Sequence, residues 1–151
     1  MNKKEIIEIL GIIAIIGSLI FVGIEIRQNS LSIRGATYQS IAEQVTKLYM
    51  DVAADERLSK LVAEMMHNDT LRNQLNAADR LSLDFIVLTG LRRIENIYLQ
   101  QSDGILSNQA FERIGLEFYQ TKYSIETWER YKSGFDSSFI EFFEELRDTT
   151  F

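Results

Sequence analysis

The sequence contains no cysteine, no proline and a single histidine among its 151 residues. Without cysteine the chain forms no disulfide, no thiolate metal site and no thiol nucleophile, and its redox compartment stays undetermined. Average usage near 5% would supply about seven prolines, and their absence removes the commonest helix breaker. These deficits favour an all-α fold and leave few groups suited to catalysis.

The composition and charge indicate one folded domain that does not bind nucleic acid. Hydrophobic residues make up 46% of the chain and charged residues 25%, which is close to globular averages and excludes wholesale disorder. The net charge is −6, and residues 102–151 carry most of it, with ten acidic against five basic side chains. Nucleic-acid binding needs a basic surface that releases counterions from phosphates, so this partner class is disfavoured.

The longest apolar segment lies near the N-terminus. Sixteen consecutive uncharged residues run from Ile9 to Ile24 and read ILGIIAIIGSLIFVGI. As a helix, residues 6–26 would rise about 31 Å, close to the thickness of a bilayer's hydrocarbon core. The sequence therefore predicts an N-terminal membrane-spanning helix in residues 1–27 and a soluble α-helical bundle in residues 28–151.

Three other interpretations of the apolar segment are less consistent with its sequence. A cleaved signal peptide needs a small-residue cleavage site, and the stretch FVGIEIRQNS after the apolar run contains none. An interfacial helix needs a polar face, which residues 9–24 lack. A soluble core helix of such uniform isoleucine content is uncommon.

The remainder of the chain predicts a bundle of about five helices. Beyond Ile26 no helix stop appears for almost thirty residues, so the first helix is expected to continue into the bundle. A helix from residue 76 or 77 to about 102 is apolar on most sides and is expected to be central. The other expected elements are a helix around 58–66 capped by Asp55, a helix end at Asp103-Gly104, a helix from Ser107 that includes Phe111, Ile114, Phe118 and Tyr119, a shorter helix around Trp128 and Tyr131, and a last helix started by the capping box Ser138-x-x-Glu141.

Four polar residues, Arg92, Arg93, Glu95 and Asn96, interrupt this central apolar helix, so at least one of them is expected to face inward. Arg92 can pair with Glu95 or Asn96 along the helix, and Glu95 can accept a hydrogen bond from a tyrosine of a neighbouring helix. The cluster has two interpretations: a buried network that fixes helix register, or a charged clamp in a ligand pocket. The apolar flanking residues favour the network.

Small residues form a strip along the predicted membrane helix. Gly11, Ser18 and Glu25 repeat every seven residues, with Ala14 on a nearby face, and Ala14-x-x-x-Ser18 is a small-xxx-small pair. One interpretation is a contact between helices of neighbouring copies. A second is the lining of a pore by Gly11 and Ser18, with Glu8 or Glu25 selecting cations. In a third, both glutamates lie at the level of the lipid headgroups.

A possible metal motif is present but incomplete. Glu64 and His67 have the Glu-x-x-His spacing of di-iron bundles, which need two such motifs, and a second histidine is missing. His67 at a helix C-terminus, where a partly cationic ring suits the helix dipole, is the favoured interpretation. No metal or other cofactor is predicted.

Several stretches resemble a bacterial family of small proteins. They are the apolar segment running into IEIRQNS, then ATYQS, then RRIENIYLQQSDGIL, and a late WERYKSGFDSSFIEFFEEL, which together cover nearly the whole chain. The most recognisable pieces are Gln28-Asn29 after Arg27, Glu95-Asn96-x-Tyr98, and the approach from Phe135 to Phe139. The resemblance implies a membrane-anchored α-helical protein and no assigned activity, cofactor or site.

The sequence thus predicts a membrane-anchored interaction or scaffold protein that self-associates, with a small homo-oligomeric channel as the alternative. No catalytic triad, phosphate loop or metal cluster is recognisable, so an enzyme is not expected. The candidate partners are membrane lipid, further copies of the chain and another protein. The expected location is the inner (plasma) membrane, in a single pass, with the bundle in the cytoplasm.

Overall fold

The computed structural model describes residues 2–68, 70 and 72–149, with the side chain of Arg113 excepted. Within these residues all regular structure is helical, and no strand is present. The α-helices are α1 (Lys3–Ala54), α2 (Glu56–His67), α3 (Ala77–Ser102), α4 (Leu116–Tyr119), α5 (Lys122–Tyr131) and α6 (Ser137–Thr149), and short 3-10 helices cover Arg72–Gln74, Asn108–Arg113 and Lys132–Gly134. The predicted all-α fold class is confirmed.

Contacts within the chain divide it into two compact units, Met1–Ser40 and Ile41–Phe151. Helix α1 contributes to both units because it continues past Ser40 to Ala54.

The first unit is the N-terminal part of α1, in which no side chain is buried. The polar segment that follows the apolar run stays helical, as predicted, because its serines bond back to the helix. The Ser30 hydroxyl donates to the Ile26 carbonyl at 2.9 Å, and the Ser32 hydroxyl donates to the Gln28 carbonyl at 3.0 Å. Local hydrogen bonding and the absence of proline therefore carry the helix through this segment.

The centre of the second unit is α3, as predicted. Nine of its residues are buried, and it contacts both α2 and α5. These nine residues lie on one broad face of the helix, whereas the apolar Leu81, Phe85 and Leu99 on the opposite face are exposed. Two charged residues, Asp84 and Arg93, are among the buried nine.

Aromatic side chains from α5 and α6 form the second part of the core. Trp128, Phe139 and Phe143 are each at most 1% exposed. The ring centroids of Trp128 and Phe143 lie 4.7 Å apart, and those of Phe139 and Phe143 lie 5.7 Å apart. These distances are typical of tilted aromatic packing in protein cores. The aromatic residues near the C-terminus therefore stabilise the bundle from within.

The predicted helix boundaries around α2 and α3 are confirmed. The Asp55 side chain accepts from the Leu58 amide at 3.0 Å, and the Asn76 side chain accepts from the Ala78 and Asp79 amides at 3.0 Å. Helix α2 ends at His67, and α3 ends before Gly104, whose φ of 72° places it in the left-handed region.

The single helix expected to start at Ser107 is wrong. A 3-10 helix covers Asn108–Arg113, and α4 begins only at Leu116. Gly115 separates the two elements with a φ of 68°, which a helix cannot contain and which glycine adopts at little cost. Phe111 and Tyr119 therefore do not share one continuous helical face.

The capping box predicted at Ser138 is also wrong. Helix α6 begins at Ser137, so Ser138 lies inside it. Asp136 is the capping side chain: its Oδ1 accepts from the Ser138 hydroxyl at 2.5 Å and from the Ser138 amide at 2.9 Å. These hydrogen bonds lower the pKa of Asp136. A carboxylate two residues upstream thus replaces the serine that the sequence pattern favoured.

Gly90 of α3 makes room for the side chain of Tyr119. A Cβ at position 90 would overlap the Tyr119 hydroxyl. Tyr119 is only 5% exposed, and its ring packs against Phe118 and Phe143, with centroids at 5.1 and 6.0 Å. The tyrosine cannot move aside without disturbing these neighbours.

We expect Gly90→Ala to destabilise the bundle. Alanine gains about 1 kcal/mol of helix propensity, whereas overpacking a tight core costs about 1–3 kcal/mol. A net loss of about 1 kcal/mol should be visible in urea unfolding followed by the fluorescence of Trp128, the single tryptophan. Repeating the substitution in a Tyr119→Phe background removes the overlapping hydroxyl and should reduce the loss. An equal loss in both backgrounds would contradict this explanation.

Candidate functional site

The structure places Arg92 and Glu95 at the junction between α3 and the segment before α6. An Arg92 Nη1 donates to Glu95 Oε2 at 2.8 Å, as the sequence spacing predicted, and its Nη2 donates to the Gly134 carbonyl at 2.8 Å. The guanidinium carbon lies 3.9 Å from the centroid of the Phe135 ring. Glu95 Oε1 accepts from the Asp136 amide at 3.0 Å, a backbone donor in place of the tyrosine that the sequence allowed.

Arg93 and Asn96 have different surroundings. Arg93 is 9% exposed, and its Nη2 donates to the Ile114 carbonyl at 3.3 Å. The exposed Asn96 accepts from the Gln100 side chain at 3.0 Å on the same helix. Arg92, Arg93 and Asn96 border a shallow depression of about 420 Å³, which Glu95 does not line. Arg92 and Glu95 therefore share one set of contacts, whereas Arg93 and Asn96 contact other groups.

The predicted small-residue strip is uncovered within the chain. Gly11, Ala14, Ser18 and Glu25 are all exposed on α1. A Cβ added to Gly11 would meet no other atom within 4 Å. The strip is therefore free for contacts outside this chain.

The possible metal motif remains isolated. Glu64 and His67 are exposed at the end of α2. Among the described residues no group of three or more histidine, cysteine, aspartate or glutamate side chains could hold a metal ion.

A buried cluster around Asp84, which sequence reasoning missed, joins three elements of the second unit. Asp84 of α3 is 1% exposed. Arg72, from the 3-10 helix before α3, pairs with it through both Nε, at 3.0 Å, and Nη2. The geometry is the two-pronged pairing that makes an arginine–carboxylate contact strong.

Three hydroxyl groups on one face of α5 complete the Asp84 cluster. Tyr123, Thr127 and Tyr131 recur at intervals of four residues, which aligns them along the helix. Their hydroxyls lie 2.9, 3.2 and 3.3 Å from the Asp84 carboxylate oxygens. The Tyr123 hydroxyl also lies 2.8 Å from the Arg80 carbonyl, to which it can donate. Burial, and then contact with Asp84, raise the pKa of Tyr123 above its usual range.

This arrangement suits structural stabilisation better than catalysis. A carboxylate offers about four lone-pair sites, and Asp84 already faces five donor groups. No acceptor site is left over for a substrate, so the cluster serves to fix α5 and the Arg72 segment against α3. One sequence pattern could have revealed the Asp84 cluster. It is a lone aspartate in the apolar run LSLDFIVL, together with hydroxyl residues at positions 123, 127 and 131.

A separate, apolar groove of about 570 Å³ lies in the second unit. It is lined by the C-terminal end of α1, one face of α2, Ile86 and Arg93 of α3, and the segment 114–119. We call it the Arg93 groove. Its volume is within the range of small-molecule sites, which combine apolar walls with a few polar groups. It is the best candidate for a binding site among the residues the structure describes.

Two polar side chains are buried at the wall of the Arg93 groove. Arg93 Nε is buried and has no hydrogen-bond partner. Tyr119 also lines the groove, and burial raises its pKa to about 12, against the opposing influence of Arg93. Tyr119 therefore stays neutral at physiological pH, while Arg93 carries a positive charge.

Removing the charge of Asp84 should cost far more stability than removing that of Glu95. In Asp84→Asn the new amide would face the donors of Arg72 and Tyr131, and a nearly buried cation would lose its partner, at a cost of about 3–5 kcal/mol. In Glu95→Gln the partner Arg92 has a side chain 53% exposed, and the amide oxygen can still accept from Asp136, so about 1 kcal/mol or less is expected. Urea unfolding followed by Trp128 fluorescence measures both. Equal losses would contradict the assignment of Asp84 as the principal buried charge.

Comparisons with known proteins leave the family of this chain open. No family model, curated protein or solved structure matches it. The resemblance to a bacterial family of small anchored proteins therefore stays a prediction, and the function has to be argued from the residues of this chain.

Proposed function

We propose that this chain is a single-pass membrane-anchored helical module, in which α1 provides the anchor and the second unit provides the interaction surface. The observation that carries the proposal is the uncovered apolar surface of α1. Fourteen large apolar side chains between residues 6 and 26 are exposed, and α1 has no buried residue. The proposal assigns no enzymatic activity.

Lipid is the environment that best satisfies this surface. Soluble proteins rarely expose contiguous apolar patches larger than a few hundred Å². A soluble core helix of similar composition would be mostly buried, whereas the most apolar window of α1 is 0% buried. Its residues 9–24 are uncharged on every face, and a helix satisfies its own backbone hydrogen bonds in hydrocarbon.

Self-association of the anchor is part of the proposal. Gly11, Ala14 and Ser18 would let two such helices approach closely, and close packing is the main attraction between helices in lipid. The space beside Gly11 is open within the chain. Mass measurement of the protein extracted in mild detergent would test this, and a mass of one chain at every concentration would exclude it.

We further propose that the protein lies in the inner (plasma) membrane with its second unit in the cytoplasm. Basic side chains flank the apolar segment on both sides, with Lys3 and Lys4 before it and Arg27, Arg34 and Lys47 after it, and the resemblance of the stretch IEIRQNS favours the cytoplasm for the second side. A reporter protein that is active only in the cytoplasm should be active when it is fused after Phe151. Activity only in the periplasm would reverse the orientation.

A charge in the middle of the apolar segment should abolish membrane insertion. Ile16→Arg places a cation near the bilayer midplane, which costs about 2.5–3.5 kcal/mol on insertion scales. Ile33→Arg is the matched control, because Ile33 is exposed on the same helix but outside the apolar segment. Membrane fractions washed with alkaline carbonate should retain the parent chain and Ile33→Arg and lose Ile16→Arg. Recovery of the parent chain in the soluble fraction, or of a shortened chain cleaved after the apolar segment, would contradict the anchor.

A further inference from the structure

The Arg93 groove has apolar walls and one buried cation that lacks a carboxylate partner. Val62 and Met66 of α2 and Phe118 of α4 supply apolar surface. Within the described part of the chain, the single hydrogen bond from the Arg93 side chain goes to the Ile114 carbonyl, and no acidic side chain forms an ion pair with it.

A buried cation without an anionic partner is unfavourable when no ligand lies in the groove. A buried positive charge is costly unless an anion or several acceptors surround it. A neutral carbonyl at 3.3 Å satisfies one Nη group and leaves the buried Nε without a partner. Asp84 shows the alternative solution within the same bundle, because its buried carboxylate pairs with the guanidinium of Arg72, whose side chain is 15% exposed.

We propose that the Arg93 groove binds a single-chain amphiphile with an anionic carboxylate headgroup, of the fatty-acid class. The headgroup carboxylate pairs with the Arg93 guanidinium, whose planar array of donors matches a carboxylate. The hydrocarbon chain lies along the apolar walls formed by α1, α2 and the segment 114–119. A volume of about 570 Å³ suits one drug-sized ligand rather than a lipid with two acyl chains.

The other ionisable groups in the wall are compatible with one negative charge. Tyr49 and His67 line the groove and are exposed, and Tyr119 offers a neutral hydroxyl. Glu117 also lines the groove but is exposed, so water can solvate its carboxylate. The site is contained in the second unit and does not depend on whether α1 crosses a membrane.

Photo-crosslinking of the full chain tests the proposal. The chain is placed in nanodiscs of zwitterionic phosphatidylcholine, or in buffer if it does not insert, and exposed to a palmitic acid that carries a diazirine. Crosslinked peptides should include residues 59–67 and 114–119. Labelling of these peptides should be displaced by free palmitate and not by its methyl ester, which lacks the charge. Displacement by phosphatidylglycerol as effective as that by palmitate would overturn the single-chain assignment.

Two variants separate the groove from general labelling by dissolved lipid. Arg93→Gln removes the charge and should lower groove labelling about tenfold, the loss expected for one hydrogen-bonded charge. Arg92→Gln is its control, because Arg92 does not line this groove. Ala63→Phe fills the groove from an exposed position and should also abolish labelling, whereas Ala42→Phe, exposed on α1 and outside the lining, should not.

Circular dichroism spectra and urea midpoints establish that each variant is folded. If Arg93→Gln does not fold, Ala63→Phe alone decides the outcome. Groove labelling that persists in Ala63→Phe, or that is confined to the apolar segment of α1 in the parent chain, would overturn the proposal.

Discussion

From Ile9 to Ile24, α1 presents aliphatic side chains on all of its faces, and the chain buries none of them. Transfer of each such side chain out of water is favourable by about 1.5–3 kcal/mol. The sum over the helix is therefore a far larger free energy than any local interaction in the bundle provides. Every proposal about location and assembly depends on the need to remove these apolar side chains from water. The core of the bundle, in contrast, consists of residues from Ile41 onward.

The second unit solves two problems of buried charge in different ways. Asp84 and Arg72 neutralise each other, and three hydroxyls of α5 lie within hydrogen-bond distance of the Asp84 carboxylate. Arg93 has no such partner and lies at the wall of an apolar groove. A satisfied pair favours one packing arrangement of the helices, whereas an unsatisfied cation next to open space favours a ligand. This contrast is the physical reason for treating the first as a stabilising element and the second as a binding site.

Most patterns within one helix were predictable from the sequence, although the cap of α6 comes from Asp136 and not from Ser138. Contacts between elements were not predictable. Helical periodicity and capping residues located α2 and α3, because Asp55 and Asn76 act on amides two or three residues away. The left-handed Gly115 escaped prediction, since a glycine inside an apolar pattern gives no sign of its φ value. The Asp84 cluster escaped because its partners lie more than ten residues away, and nothing local brings Arg72 and Tyr123 to the same carboxylate.

Cysteine scanning of α1 tests the central claim most directly, and the chain is suited to it because it contains no cysteine. Single cysteines at each position from 6 to 35 would be exposed to a membrane-impermeant thiol reagent in intact and in permeabilised membranes. Our account predicts that positions 9–24 stay unreactive on every face of the helix, while exposed positions from 28 onward react once the reagent has access to their side. Reactivity along one stripe through Gly11, Ser18 and Glu25 would indicate a water-filled pore. Reactivity of one whole face, or of all positions from 9 to 24, would contradict a membrane-spanning helix.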